Sequence, residues 1–194
     1  TAEVTPHHLL LTHEALLGYD AVCKVNPPLR EAEDVEALRR ALADGTIDCV
    51  ATDHAPHGVL DKHVELAEAA PGIIGLETCL PLLLGLVRDG FLPLARLVEA
   101  MTSAPARVVG LEPPRLRVGA RADMVLVDPT AKWTIDPALL RSKSKNTPFL
   151  GRTVEGRIEM TVCEGTTVHE SVDPSGPPTQ VGPSGPRPQR ETLS

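Results

Sequence analysis

The sequence predicts an α/β protein followed by a small all-β region, and three observations carry that expectation. Residues 2–52 run in the order strand, helix, strand, the repeat from which parallel sheets are built. Past Pro113-Pro114 the texture shortens to strand-length apolar runs separated by turns, so a small β-region is expected over 113–170. With 42% hydrophobic and 23% charged residues the chain can bury a core, and with aromatics at 2% that core must be built from Leu, Val, Ile and Ala.

Taken in order, residues 2–11 read as a short strand running into a turn at Pro6. Between Glu31 and Ala43, Val35, Leu38 and Leu42 recur at helical spacing among charged residues, and Gly45 closes the helix. Residues 47–52 form a small, mostly apolar run that fits a buried strand. The apolar-rich stretch from Ile73 to Arg88 ends at Asp89-Gly90 and must either contain Pro81 or break there; Leu94 to Thr102 forms an amphipathic helix before Pro105. In the β-region, residues 117–120, 122–128, 132–135 and 157–170 read as strands. Residues 171–194 are rich in Pro, Gly and Ser, with too few apolar groups to offset the entropy of ordering, and are expected to be a disordered tail. Because Thr1 is not Met and the first strand has no lead-in, the chain is expected to begin in mid-domain. The expected divisions are therefore 1–112, 113–170 and 171–194.

A net charge of -7 with no Lys/Arg cluster argues against a nucleic-acid partner. It also means that a site for an anionic small molecule needs local positive charge from a metal or from N–H groups at a helix start. Cys23, Cys49, Cys79 and Cys163 have no regular spacing, which reads as reduced thiols in the cytoplasm rather than a disulfide framework. The longest apolar run, residues 80–87, is too short to span a bilayer, so no membrane partner is expected.

Chemistry concentrates in Thr52-Asp53-His54-Ala55-Pro56-His57, directly after the apolar run. An Asp and two His at the C-terminal mouth of a β/α strand sit where catalytic groups of such folds converge. The plainer alternative is that Asp53 caps the next turn while the histidines pack or face solvent. This cluster alone is not a closed zinc site, which needs three or four ligands. Asn26-Pro27-Pro28 read alone is a turn, since the residue before proline is held extended. Pro71-Gly72 read alone is the turn before a helix starting near Ile73. His7 and His8, as neighbours on a strand, would point to opposite faces, so at most one could reach a given metal.

Five stretches in sequence order resemble the dihydroorotase family of the amidohydrolase superfamily. They are residues 51–57 (ATDHAPH), 4–11 (VTPHHLLL), 24–30 (KVNPPLR), 75–78 (GLET) and 142–149 (SKSKNTPF), and the likeness extends to about Glu170. The resemblance implies the last two strands of a TIM-type (β/α)8 metal-dependent hydrolase barrel, plus part of a small β-sandwich domain. It implies that Asp53 is both a metal ligand and the acid/base. Ring opening of dihydroorotate needs a metal-activated water to attack the amide carbonyl and a group to pass a proton to the leaving nitrogen. It assigns His57, Asn26 and the backbone at Pro71 and Gly72 to substrate binding. An asparagine amide both donates and accepts, as a ring carrying N–H and C=O groups requires; Gly72 permits close backbone approach. His54 is implied to support Asp53, and the 142–149 stretch, lacking the glycines of a phosphate loop, is read as structural.

The implied cofactor is zinc (Zn2+), one ion or two, with most ligands outside this chain. The implied small-molecule substrates are dihydroorotate and N-carbamoyl-L-aspartate, and the candidate protein partners are a second copy of the chain or aspartate transcarbamoylase. Two alternatives stay open: another cyclic amidohydrolase such as an allantoinase or dihydropyrimidinase, and a non-catalytic dihydroorotase-like partner of aspartate transcarbamoylase.

Overall fold

The structure, a computed structural model, describes residues 1–171; the expected disorder beyond Ser171 lies outside the described residues. Strand β1 (Glu3–Val4) pairs in parallel with β2 (Cys49–Val50), Glu3 opposite Cys49 and Val4 opposite Val50. Helix α2 (Ala32–Asp44) makes the crossover between them. Its start is fixed by the Glu31 N–H donating to Asp34 at 3.3 Å, and its end by Gly45, whose φ of 87° is the left-handed conformation that glycine adopts without penalty. Val35 and Leu42 on its inner face are buried.

The short strand expected before Pro6 is Glu3–Val4, and the turn expected at Pro6 is corrected: Pro6–Leu10 forms helix α1. Proline is suited to a first helical position, where its missing N–H leaves no bond unmade, and the Thr5 hydroxyl caps the turn by accepting from the His8 N–H at 3.2 Å. His7 and His8 therefore sit on a helical turn rather than on alternate strand faces. The His8 ring bonds Thr5 Oγ1 at 2.7 Å and the Pro27 carbonyl at 3.0 Å. His7 is 3% exposed, its Nε2 has no hydrogen-bond partner among the described residues, and burial together with nearby His8 pushes its pKa down to about 4.

Beyond β2 come short helix α3 (Val59–Lys62), α4 (Cys79–Arg88), α5 (Leu94–Met101) and α6 (Ser103–Val108). Pro81 falls in the first turn of α4 and Pro105 in the first turn of α6, where each is tolerated. The apolar stretch of 73–88 is thus helical only from Cys79 onward. Helix α4 is buried nearly all round because two cores share it. Leu83, Leu84 and Leu86 pack with Val4, Leu9, Leu42 and Leu97, while Leu82 packs with Ile74, Ile135, Phe149 and Val154.

The β-region is one antiparallel sheet of β3 (Met124–Thr134), β4 (Thr153–Cys163) and β5 (Thr166–Glu170), in that order. The strands expected at 122–128 and 132–135 are one strand with an irregularity, where Asp128 Oδ1 accepts from the Thr130 and Ala131 N–H groups. The 157–170 run is interrupted by the Glu164-Gly165 turn, and residues 117–120 are a turn rather than a strand. Sheet and helices meet at Gly156, with φ of 111°, whose Cα faces Leu84 so closely that any side chain there would collide with it. The Trp133 indole N–H donates to the Gly156 carbonyl at 2.9 Å beside this contact.

Candidate functional site

The site grows out of the end of β2. Asp53 leaves the strand on a left-handed backbone, φ 46°, and is exposed. Asparagine and aspartate are the non-glycine residues best able to take that conformation. One residue later the chain regains sheet geometry: His54 bridges in parallel with Ile73, and the Ala55 N–H donates to the Ile73 carbonyl at 3.0 Å. The His54 ring faces the next loop, its Nδ1 accepting from the Gly75 N–H at 3.0 Å. It thereby fixes the 75–76 turn and makes no direct bond to Asp53.

His57 is held at three points. Its Nε2 donates to the Pro71 carbonyl at 2.9 Å, its backbone N–H donates to Asn146 Oδ1 at 3.2 Å, and its carbonyl accepts from the Ser144 hydroxyl. Because a carbonyl can only accept, Nε2 carries the proton and Nδ1 is left for another partner. Gly72 presses on the same ring. With φ at 138°, a Cβ there would lie 2.5 Å from Ala55 Cβ and 2.9 Å from His57 Nε2, so only glycine fits.

The Gly72 N–H donates to the Lys24 carbonyl at 2.8 Å, which lays the exposed Asn26 turn beside the 71–72 loop. Two lysines tie residues 21–24 to residues 62–67. Lys24 Nζ donates to the Leu66 and Ala67 carbonyls at 2.8 and 2.9 Å, and Lys62, 4% exposed, donates to the Ala21 and Lys24 carbonyls at 3.1 and 3.2 Å. Burial pushes the Lys62 amine below its ordinary pKa.

The predicted residues thus fall in three adjoining segments: Asp53 and His57 on one, Pro71 and Gly72 on the second, Asn26 on the third. Among the described residues no three His, Cys, Asp or Glu groups come together to hold a metal. Asp53 fits a metal site as one contributor and not as a complete one.

Sequence reasoning gave Asn146 no part in these contacts. It lies in the stretch read as merely structural, is 7% exposed, and its amide reaches Ala55, His57 and Gly72 at once. No local pattern marks it, since every one of those partners is 74 to 91 residues away.

Comparison with known proteins gives a consistent set. The amidohydrolase family profile matches residues 7–168. A dihydroorotase of Anaeromyxobacter dehalogenans is 55% identical over 172 residues, and one of Geotalea daltonii is 51% identical over 170. Each alignment covers 88% of this chain and 40% of the relative, so the chain spans about two fifths of the length of the curated relatives it matches. Among solved structures, an L-hydantoinase (dihydropyrimidinase) from Arthrobacter aurescens superposes with a TM-score of 0.81 at 37% identity, over 87% of this chain and 39% of that one.

Proposed function

The chain belongs to the amidohydrolase family, and from that premise we propose that it forms the C-terminal part of a dihydroorotase, which interconverts dihydroorotate and N-carbamoyl-L-aspartate in pyrimidine biosynthesis in the cytoplasm. The observation that carries this reading is the joining of three sequence-distant segments into one rim. The Ala55 N–H reaches Ile73 O, His57 Nε2 reaches Pro71 O and the Gly72 N–H reaches Lys24 O, which supports a site built from the segments that carry the five predicted residues, beyond the end of a parallel strand. The choice of dihydroorotate over other cyclic amides is supported by identity, 55% to a dihydroorotase against 37% to a hydantoinase.

In this proposal β1 and β2 are the last two strands of a (β/α)8 barrel within residues 1–112, and β3 to β5 are part of a small β-sandwich within 113–170. Asp53 passes the proton to the ring nitrogen as the amide C–N bond opens, and takes it back on cyclisation. Asp53 would hold zinc together with ligands outside this chain, and the ion would supply activation of the attacking water. The Asn26 amide and the backbone at Pro71 and Gly72 meet the donors and acceptors of the ring. His57, with its ring fixed through Nε2 by the Pro71 carbonyl, lines the side of the loop that meets the substrate.

The test is to assay the full-length protein with dihydroorotate, dihydrouracil, hydantoin and allantoin. Highest kcat/KM on dihydroorotate is expected. Preference for any of the other three overturns the assignment, and turnover of none supports the non-catalytic alternative.

A further inference from the structure

The side-chain amide of Asn146 makes three hydrogen bonds to two loops. Its Nδ2 donates to the Ala55 carbonyl at 2.9 Å and to the Gly72 carbonyl at 3.1 Å, while its Oδ1 accepts from the His57 N–H at 3.2 Å. Its own carbonyl accepts from the Ile74 N–H at 3.1 Å. One side chain therefore spans both the 53–57 loop and the 71–74 loop. The stretch presenting it is itself fixed: the Glu77 carboxylate accepts from the Arg141 and Ser142 N–H groups at 2.6 and 2.9 Å, and Lys145 Nζ donates to the Ser142 carbonyl at 2.7 Å.

We propose that Asn146, seconded by Ser144, is a positioning residue that sets the His57 imidazole against the Pro71-Gly72 backbone and so fixes the spacing of the two loops that grip the substrate. This rests on the dihydroorotase reading for its kinetic consequence, but the clamp itself does not. Only an amide fits the position. A carboxylate would face two carbonyl oxygens, a hydroxyl cannot reach both loops, and an apolar side chain would leave buried donors and acceptors without partners. Asn146 touches no reacting atom in this arrangement, so its loss acts through His57 and Gly72. Weaker binding shared by substrate and transition state raises KM more than it lowers kcat.

The experiment uses the full-length protein with Asn146→Ala, the milder Ser144→Ala, His57→Ala and the double variant Asn146→Ala/His57→Ala. Hydrogen exchange followed by mass spectrometry reads the clamp without any substrate. Exchange in peptides covering 55–58 and 71–74 should quicken in both single clamp variants, with peptides of α2 unchanged. With dihydroorotate, Asn146→Ala should raise KM about tenfold with kcat within about threefold, as loss of buried hydrogen bonds predicts. The double variant should lose less than the product of the two single losses, because part of the Asn146 effect passes through His57. Multiplicative losses in the double variant, or unchanged exchange at both loops, overturn the proposal. If Asn146→Ala does not fold, Ser144→Ala decides by the same readouts. Should the unmodified protein not turn over dihydroorotate, the functional reading falls and the exchange data alone judge the clamp.

Discussion

Asp53 is exposed and stands on a left-handed backbone, so exchanging its carboxylate for an amide disturbs no packing. In the full-length protein Asp53→Asn should lower kcat on dihydroorotate by roughly 10²- to 10⁴-fold, the scale of a lost general acid/base, with the melting temperature nearly unchanged. Activity within a factor of two of the unmodified enzyme would remove Asp53 from the mechanism. His7 gives a prediction of a different kind. Its pKa falls from its ordinary value of 6.5 to about 4 on burial, so between those values the unfolded chain binds more protons than the folded one. Its contribution to stability is complete above pH 6.5 and is lost as pH falls toward 4, at most about 3 kcal/mol for this one group. The urea midpoint should drop over that window in the full-length protein and drop less steeply in His7→Gln; equal slopes would dismiss it. The place of Asp53 and His57 directly after a strand was legible in the sequence because they share one contiguous motif with it. Asn146 was not, because hydrogen bonds between distant segments leave no trace in local spacing.

At the scale of elements, periodicity found α2, whose apolar spacing and terminal glycine act within a single turn or two of chain. It failed for α1, where capping by Thr5 and a proline at the first helical position outweighed a sequence that otherwise suits a strand. It also divided β3 in two, because Asp128 supports an irregularity with its side chain and lets the strand resume. The join between α5 and the α2–β2 crossover rests on Arg96, which donates to the carbonyls of Leu42 at 2.9 Å, Ile47 at 2.7 Å and Asp48 at 3.0 Å and pairs with Glu99 at 3.1 Å. A lysine has the charge but not the planar fork that reaches several carbonyls together. Arg96→Lys should therefore destabilise the full-length protein by about 2 kcal/mol, the scale of one or two lost charged hydrogen bonds, readable as a lowered urea midpoint at unchanged slope. No measurable change would show that water replaces those contacts without cost.

For the whole molecule, the parallel sheet described here is two strands pairing over two residues each, and β3 exposes Met124, Val125 and Leu126. Short pairing and open apolar strand surface are poor foundations for independent stability. Expressed by itself, the 194-residue chain should form soluble aggregates or precipitate, show no sharp thermal transition and have no dihydroorotase activity. A monomer with a cooperative transition on calorimetry would refute this. The broad order of α/β part and β part was readable from composition and texture, whereas the sharing of α4 between two cores was not, since a helix buried on all sides has no polar face to reveal which neighbour it serves. The reach of Asn146 back to His57, 89 residues earlier, also orders events in time during synthesis. At a translation rate of about 5–20 residues per second, the loop bearing Asp53 and His57 emerges from the ribosome roughly 4–18 s before the side chain that secures it. The contacts that join the 53–57 and 71–74 loops to Asn146 are thus completed only after the stretch between β3 and β4 has been made.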